Sequence, residues 1–181
     1  MSWLDRIIYK RLGEQDITPG FFRGFRRFQQ VKRCWRKENG EWFLRDIAFT
    51  EEWGEEEFAY GVNRLRQTLT DGGAVFAAFE NDILTGFASL EGELFGSMLQ
   101  YLQLSNIHVS YEHRGHGIGK TLFCMICDEA RQRGARKLYI SAHSAEESQA
   151  FYKSMGCIEA LEYNQELVEK EPCDCQMEYV L

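Results

Sequence analysis

The strongest constraint on the fold is a short glycine-rich run, HRGHGIGKT at residues 113–121, which lies between a strand pattern and a helix pattern. The sequence predicts a strand over 101–110, a helix over 117–133 and a second strand over 137–142. Two strands joined through a helix in this way predict a right-handed parallel crossover. A chain built around such a unit is predicted to be of the α/β class, with helices packed on a sheet.

The remaining segments add antiparallel strands and further helices. Residues 74–80 and 84–90 are predicted to form a hairpin around the turn at 81–82, and 55–69 a helix with one apolar stripe. Further predicted elements are a strand at 6–11, a helix that begins at Thr18-Pro19, an irregular segment at 33–50 with a turn at Asn39-Gly40, a helix at 146–155, and strands at 157–163 and 175–181. The predicted fold is α/β (α+β), a single domain of residues 1–181 with one mixed, mostly antiparallel sheet and helices on both faces.

Composition narrows the class of partner. Lys and Arg number 21 and Asp and Glu 28, so the net charge is −7, which argues against a general nucleic-acid binder. No apolar run reaches the ~18 residues that a membrane-spanning helix needs, and the first residues carry scattered charges instead of a signal-peptide core. We therefore expect a cytoplasmic protein that binds neither nucleic acid nor membrane.

The six cysteines are expected to be free thiols in a reducing compartment. Cys124 and Cys127 stand one turn apart in the predicted helix among apolar residues, so burial is expected for both. The alternative is a four-thiolate zinc site that these two residues form with Cys173 and Cys175. Because the Cys-x-Cys pair is a poor match to the usual Cys-x2-Cys spacing, we expect no metal.

The glycine run is suited to hold an anion at the start of a helix. It presents unpaired backbone N–H groups at a helix N-terminus, and Arg114 and Lys120 add positive charge. The glycines at 115, 117 and 119 alternate strictly, so the run fits neither the P-loop pattern nor the dinucleotide pattern. A glycine turn that binds nothing is the alternative, but three glycines cost backbone entropy and lie among basic side chains.

Two blocks in this order resemble one known family. Residues 114–119, RGHGIG, are similar to the R/Q-x-x-G-x-G/A signature of the GNAT acetyltransferase superfamily. Residues 147–157, ESQAFYKSMGC, resemble the FY-x-x-x-G-F segment of the same family, with Cys157 in place of the usual aromatic residue. The resemblance covers about residues 72–162 and implies the GNAT-like acyl-CoA N-acyltransferase fold.

The resemblance implies that the chain uses acetyl-CoA as co-substrate. Residues 72–162 would bind it, residues 1–71 would hold the acceptor, and residues 163–181 would form a C-terminal loop and strand. The pyrophosphate would bind main-chain amides of the glycine run, and the pantetheine arm would pair with the strand at 101–110, whose main chain would polarise the thioester carbonyl. The residues implied in acetyl-CoA binding are Ile107, His108, Val109, Arg114, Gly115, His116, Gly117, Ile118, Gly119 and Lys120.

The resemblance defines the catalytic acid better than the base. Tyr152 stands at the family's general-acid position near the CoA sulfur, and a buried core aromatic is its alternative role. Gln103 stands where some family members carry a glutamate, so Glu91 and Glu93 are the candidate bases, with a solvated loop as their alternative. His108, which titrates in the right range, and a water chain are further alternatives.

The expected function is transfer of the acetyl group of acetyl-CoA to an amine, favoured to belong to a small molecule. Acetylation of a protein α-amine or a lysine is the alternative in the same class, and a non-catalytic acyl-CoA-binding module is the alternative in another class. The acidic run at 51–57 is interpreted as a solvated helix start, with a site for a cationic acceptor as its alternative. The acyl length and a homodimer are left open.

Overall fold

The structure is a computed structural model and describes residues 6–181. Its strands are β1 (Ile7–Leu12), β2 (Phe28–Glu38), β3 (Glu41–Glu52), β4 (Ala74–Glu80), β5 (Ile83–Leu90), β6 (Tyr101–Val109), β7 (Lys137–Ala142), β8 (Ile158–Glu159) and β9 (Cys175–Val180). Its helices are α1 (Glu55–Thr70), α2 (Ile118–Gln132), α3 (Glu146–Met155) and α4 (Gln165–Lys170). None of the helices in the described part is long and apolar enough to cross a membrane.

Seven strands form the main sheet, in the order β1-β4-β5-β6-β7-β9-β8. All neighbours are antiparallel except β6 and β7, which are parallel and pair only between residues 101–103 and 137–139. Beyond Gln103 the two strands no longer pair, so one edge of β6 lacks a strand partner there. The predicted fold class, a mixed and mostly antiparallel sheet, is confirmed.

Helices pack on both faces of this sheet because neighbouring side chains of a strand point to opposite faces. On β4, Ala74 and Phe76 join the apolar cluster around α2, whereas Val75 and Ala77 join the cluster around α1. The apolar stripe predicted for α1 provides the second cluster, with Val62 and Leu65 at its buried centre. Each face of the sheet is therefore covered by one long amphipathic helix.

The predicted irregular segment at 33–50 is wrong, because β2 and β3 form a long hairpin as a separate two-stranded sheet. Its turn is the predicted one, with Asn39 at φ 51° and Gly40 at φ 81°, the left-handed pair that a tight hairpin turn requires. The hairpin does not lie in the main sheet but covers another part of the protein. Charged residues therefore interrupt the apolar alternation along its strands, and the sequence signal for two strands is weak.

The predicted helix beginning at Thr18-Pro19 is also wrong. The segment forms a series of turns, and Gly24 at φ 80° precedes the extended chain of β2. Phe22 and Phe25 instead surround Phe87 of β5, with ring centroids 5.3 and 5.6 Å from it. Phe21, Phe25 and Phe28 recur at helical spacing in the sequence, but the aromatic residues of this segment serve tertiary packing instead of a helix face.

The C-terminal part contains one strand that is shorter than predicted and one helix that was not predicted. The strand predicted at 157–163 is reduced to β8, and α4 follows it. The helix begins because the side chain of Asn164 accepts a hydrogen bond from the backbone N–H of Leu167 at 3.1 Å. Residues 163–181 therefore hold a helix as well as the predicted loop and strand.

The cysteines divide into two groups. Cys34, Cys127, Cys157 and Cys175 are buried, whereas Cys124 and Cys173 are exposed. The expectation that Cys124 is buried is wrong because this position lies on the outer face of α2, one turn before the core position of Cys127. Within residues 6–181 no group of three or more metal-ligating side chains gathers.

Candidate active site

A groove with a volume of about 510 Å³ opens where β6 and β7 stop pairing. Its walls come from β6, the loop before α2, helix α3 and the start of the β2–β3 hairpin. The residues that line it are Arg27, Gln29, Ile107, His108, Val109, His113, Arg114, Gly115, Gly117, Ile118, Gly119, Lys120, His143, Glu147, Ser148, Phe151, Tyr152, Ser154 and Met155. Of the predicted cofactor residues, the groove therefore brings all together except His116, whose Nδ1 lies 3.3 Å from the carbonyl oxygen of His113.

The glycine loop forms one end of the groove and offers main-chain N–H groups. Gly115 at φ 78° and Gly117 at φ 83° are left-handed, and Gly117 is the N-cap of α2 with no side-chain cap. A Cβ at either position would meet no atom within 4 Å, so the surface there is open to a ligand. The amides that follow Gly117 have no intrahelical acceptor, and the helix dipole adds to their preference for an anion.

Arg114 connects this loop to the end of β6. Its Nε donates to the carbonyl oxygen of Val109 at 3.2 Å, which fixes the side chain along the groove. Burial lowers the pKa of Arg114, and the positive charge of Arg27 acts in the same direction. Lys120, on the first turn of α2, is the second cation of the loop. The loop end of the groove thus combines main-chain donors with two positive side chains.

The edge of β6 that faces β7 forms the floor of the groove. Beyond Gln103 this edge has no strand partner, while the opposite edge pairs with β5 up to Val109. Apart from the carbonyl oxygen of Val109, which accepts from Arg114, the main-chain N–H and C=O groups on this edge of 104–109 are therefore able to bond an extended ligand as an added strand. The resemblance implied that Ile107, His108 and Val109 bind acetyl-CoA in this way, and that role stays a prediction.

Tyr152 lies on α3 and presents a protonated phenol to the groove. Its side chain is half-buried, and its ring packs against Phe151 at a centroid distance of 5.3 Å. Its hydroxyl makes no hydrogen bond to the described residues. Burial raises the pKa of Tyr152 above its ordinary value, so the hydroxyl is neutral and able to donate at neutral pH.

His108 is held as a neutral ring and is unsuited to act as a base. Its Nδ1 accepts a hydrogen bond from Nε of Arg27 at 3.2 Å, and its ring lies 5.1 Å from that of Trp53 and 5.3 Å from that of Phe87. Burial, together with the charge of Arg27, lowers the pKa of His108 to about 3. Because Nδ1 is an acceptor, the single proton of the ring is on Nε2.

Arg27 is the most deeply buried charge of the groove, with 7% of its surface exposed. Besides the bond to His108, its Nη2 donates to Gln29 Oε1 at 3.2 Å and to Glu51 Oε2 at 3.3 Å. Burial lowers its pKa, and the carboxylate of Glu51 opposes that shift. Its Nη1 is buried and has no hydrogen-bond partner in the part of the chain described.

Glu51 links Arg27 to a second histidine of the groove. Its Oε1 lies 3.2 Å from Nε2 of His143, whose Nδ1 accepts the backbone N–H of Ala145 at 3.1 Å. His143 therefore carries its proton on Nε2 and donates it to Glu51. The hydrogen bond from His143, together with the charge of Arg27, lowers the pKa of Glu51, which is ionised at neutral pH.

The structure does not bring Glu91 and Glu93 to this groove. Both line a separate cavity of about 790 Å³, together with Gln103. Glu91 accepts a hydrogen bond from Thr68 Oγ1 at 3.0 Å and lies 3.7 Å from Arg64, so its carboxylate is engaged there. Their assignment as catalytic bases stays a prediction that the placement does not support.

Sequence reasoning missed the polar side chains at the end of the groove beside the hairpin, which we propose as its acceptor end. Arg27 stands in the segment interpreted as a helix, and Gln29 lies between that segment and the irregular stretch at 33–50. His143 and Ser148 flank the start of α3 without a motif of their own. Glu51 belongs to the acidic run for which a cationic acceptor was the alternative. That alternative was the only sequence signal that pointed to this end of the groove.

Comparisons with known proteins agree on one family. The family model described as the acetyltransferase (GNAT) family matches residues 33–157, more than half of the chain. The chain matches no curated protein sequence at a significant level.

Solved structures agree with the chain over nearly its whole length. A nourseothricin acetyltransferase matches with a TM-score of 0.69 and 19% identity, over 97% of this chain and 98% of that chain. A Bacillus anthracis protein assigned as a streptothricin acetyltransferase, in complex with acetyl coenzyme A, matches with a TM-score of 0.72 and 14% identity over the same shares. The PaiA N-acetyltransferase of Thermoplasma acidophilum, in complex with coenzyme A, has a TM-score of 0.58 and 13% identity, over 97% of this chain and 99% of that chain. At these identities the likeness establishes the fold.

Proposed function

The chain belongs to the GNAT acetyltransferase family and is an acetyl-CoA-dependent N-acetyltransferase, and from this premise we propose that its acceptor is the amine of a small molecule. The observation that carries the proposal is the form of the groove. One end offers main-chain amides and cations, the floor is a free strand edge, and Arg27 and Gln29 at the start of the hairpin line the acceptor end. An acceptor end beside which the hairpin is fixed suits a compact amine better than a protein segment.

The hairpin is fixed over the acceptor end by contacts with the segment around α3. The backbone N–H of Trp35 donates to the carbonyl oxygen of Ser144 at 2.8 Å, and Arg33 pairs with Glu146 at 2.6 Å. Further along, Trp42 Nε1 donates to Glu159 at 3.1 Å. These contacts favour a covered site, which supports a small-molecule acceptor. The acetyltransferases named after nourseothricin and streptothricin share the fold and carry small-molecule names.

The proposed division of labour along the chain follows the groove. Residues 72–162 supply the glycine loop, the free edge of β6 and Tyr152, whereas residues 1–71 add Arg27 and Gln29 to the lining. The segment 163–181 adds β9 beside β7 and lies outside the groove. The cytoplasm is the proposed location, and a homodimer and an acyl group longer than acetyl stay untested predictions.

In the proposed reaction the chain binds, orients and donates one proton. Amides of the glycine loop and Lys120 hold the pyrophosphate, and the free edge of β6 aligns the pantetheine arm and polarises the thioester carbonyl. The neutral acceptor amine attacks that carbonyl carbon, the C–S bond breaks, and the sulfur takes the proton of the Tyr152 hydroxyl. The proton that the new amide nitrogen then loses returns to the tyrosinate oxygen, so the amide, the CoA thiol and a neutral Tyr152 result. Holding both reactants in one groove supplies much of the rate enhancement.

A thiol-release assay with acetyl-CoA tests the proposal. The acceptors are a panel of small amines and, in parallel, peptides with a free α-amine or a lysine. We expect release above the hydrolysis background with at least one small amine and slower release with the peptides. Faster thiol release with peptides would show that the acceptor is a protein amine. Tight CoA binding without thiol release for any acceptor would favour a non-catalytic acyl-CoA-binding module.

A further inference from the structure

The imidazole of His108 lies in the lining of the groove, but the reaction described above makes no use of it. The ring packs against Trp53 and Phe87, with centroids 5.1 and 5.3 Å away. A hydrogen bond from Arg27 Nε to His108 Nδ1 at 3.2 Å fixes the direction in which the ring points. The imidazole is therefore held in one orientation before a substrate binds.

The bond from Arg27 also determines which ring nitrogen carries the proton. A guanidinium only donates, so Nδ1 of His108 is an acceptor and the single proton of the neutral ring is on Nε2. Burial, together with the positive charges of Arg27 and Arg114, lowers the pKa of His108 to about 3. The ring is therefore a neutral N–H donor at physiological pH.

This donor is available to a ligand. The Nε2 of His108 makes no hydrogen bond to the described residues, whereas Nδ1 is occupied by Arg27. It is also not one of the described side-chain atoms that are both fully buried and without a partner, so it keeps accessible surface. Because His108 is part of the lining, a ligand in the groove is in reach of this N–H.

The position of His108 in β6 indicates which ligand atom it meets. The free edge of β6 beyond Gln103 is the floor of the groove, and the proposed function puts the thioester carbonyl of acetyl-CoA on this edge at 107–109. Tyr152 lines the same groove from α3, and its hydroxyl serves the thioester sulfur. A side-chain donor on residue 108 is then beside the carbonyl oxygen.

This oxygen is where negative charge develops during the reaction. When the amine attacks, the C=O double bond becomes a single bond and its electron pair moves to the oxygen. When the C–S bond breaks, the C=O bond of the new amide forms and the charge disappears. A fixed N–H donor stabilises the oxyanion without giving up its proton, and it needs no reorganisation because the ring is already held.

We propose, on the basis of the function proposed above, that His108 is a catalytic residue whose Nε2–H donates to the thioester carbonyl oxygen and stabilises the oxyanion. Arg27 is its positioning residue, because the bond to Nδ1 keeps the proton on Nε2. A main-chain amide of β6 is the second donor to the same oxygen.

His108→Asn separates the donor from the contact with Arg27. The carbonyl oxygen of the new side chain takes the place of Nδ1, but the shorter chain does not bring an N–H to the place of Nε2. We expect kcat to fall by roughly 10²- to 10³-fold, the usual effect of losing one oxyanion donor, and CoA affinity to change little. Thiol-release kinetics and calorimetry with CoA measure the two quantities. An unchanged kcat in the folded variant overturns the proposal.

His108→Gln is the rescue variant. Its amide carries an acceptor and an N–H donor at about the spacing of the two ring nitrogens, so its kcat should exceed that of His108→Asn. Phe25→Leu is the packing control, because Phe25 lies 5.6 Å from Phe87 in the same aromatic cluster and outside the groove. It should lower Tm and leave kcat unchanged. A kcat loss in Phe25→Leu equal to that in His108→Asn, or no rescue by His108→Gln, contradicts the donor role.

The role of Arg27 is tested by the ring itself. In the wild type, ¹⁵N NMR of the imidazole should show the proton of His108 on Nε2 at pH 7. Arg27→Met removes the donor to Nδ1, so both tautomers should appear and kcat should fall, whereas Arg27→Lys keeps a donor and should retain more of the Nε2–H form. A single Nε2–H tautomer in Arg27→Met contradicts the positioning role.

A measurement on the wild type alone remains decisive if a variant does not fold. The Nε2 proton resonance of His108 should shift more with acetyl-CoA than with CoA, because only acetyl-CoA has the thioester carbonyl. A proton on Nδ1, or equal shifts with the two ligands, rejects the catalytic role. No CoA binding by the wild type rejects the proposed function itself, whereas CoA binding and acetylation with an unchanged kcat in His108→Asn reject only this inference.

Discussion

Tyr152 and His108 both line the groove, and burial keeps both side chains neutral at physiological pH. For the phenol, burial disfavours the negative form, so its pKa is raised and it keeps its proton. For the imidazole, burial and the nearby Arg27 disfavour the positive form, so its pKa falls to about 3 and it stays unprotonated on Nδ1. One residue is therefore a proton donor and the other a fixed acceptor for Arg27.

Tyr152→Phe should lower kcat by roughly 10²- to 10⁴-fold, because a positioned acid typically contributes that factor when a leaving group takes a proton. The ring and its contact with Phe151 remain, and the lost hydroxyl makes no hydrogen bond to the described residues, so CoA affinity and Tm should change little. Steady-state kinetics, calorimetry and thermal unfolding check the three quantities.

Tyr60→Phe is the matched control for this change, since Tyr60 is 61% exposed on α1 and lies outside the groove. An unchanged kcat in Tyr152→Phe with a good acceptor would make this residue a packing aromatic. A fall in both Tm and kcat would show that the Tyr152 hydroxyl stabilises the fold instead.

His108 should make the fold sensitive to acid. Its ordinary pKa is 6.5 and its folded pKa about 3, so its contribution to stability is complete above pH 6.5 and is lost as the pH falls toward 3. Unfolding takes up one proton in this window, so the free energy of unfolding falls by at most about 1.4 kcal/mol per pH unit. Urea unfolding of the wild type between pH 7 and 5 measures this slope.

The comparison variant is His108→Gln, which keeps an acceptor for Arg27 but cannot titrate. We expect its unfolding free energy to fall less steeply between pH 7 and 5 than that of the wild type. Parallel slopes in the two proteins would show that His108 takes up no proton on unfolding.

At the scale of elements, the end of β6, the glycine loop and the start of α2 form one unit for anion binding. The unit works because the chain leaves the sheet and enters a helix within a few residues, so its amides converge. Gly119 belongs to the packing of this unit, since a Cβ there would lie 3.2 Å from the ring of Phe151. The left-handed Gly115 and Gly117 lie on the open side of this unit, where a Cβ would meet no atom of the described residues within 4 Å.

Gly117→Glu should abolish CoA binding while the fold survives. The new side chain would put negative charge at the N-terminus of α2, where we propose that the phosphates bind. The left-handed φ of 83° adds strain of about 1 kcal/mol. Isothermal titration with CoA measures the affinity, and circular dichroism reports the fold.

Gly134→Glu is a closely matched control. Gly134 follows the other end of α2 at φ 84°, and a Cβ there also meets no atom within 4 Å. The two variants carry the same strain and the same charge, but only the one at residue 117 should lose CoA. Equal loss in both would show that the effect comes from strain in α2, and unchanged affinity in both would contradict the placement of the phosphates.

At the scale of the whole molecule, the core controls the chemistry of the thiols. Cys127, Cys157 and Cys175 belong to the cluster between the main sheet and α2, and burial raises the pKa of each of them to about 12. Cys34 is buried where the hairpin meets Ala145. The folded state thus protects four thiols and leaves two at the surface.

The native protein should show two fast-reacting thiols, those of Cys124 and Cys173, in a titration with an aromatic disulfide reagent. The four buried thiols should react only after denaturant is added, because a buried thiol is inaccessible and stays protonated. Cys124→Ser should remove one fast equivalent and leave the slow ones unchanged. Fewer than six reactive thiols after denaturation without reductant would reveal a disulfide.

Local patterns predicted most of the cofactor half of the molecule. The helix at 117–133 and the strands at 101–110 and 137–142 appear within one or two residues of their predicted bounds, since each signal depends on near neighbours in the chain. The turn at Asn39-Gly40 was found for the same reason, although the long hairpin around it was not. Its strands pair with each other outside the main sheet, so no regular apolar alternation marks them.

The sequence by itself determined the glycine loop, the strand–helix–strand unit and the position of Tyr152, because these depend on backbone geometry over a few residues. Only the tertiary structure decided the acceptor end. Arg27 contacts His108 across 81 residues of sequence, and Glu51 contacts His143 across 92. Charged side chains that face solvent and those that meet in a groove look alike in a sequence. Only the folded chain shows which of them are buried from water together.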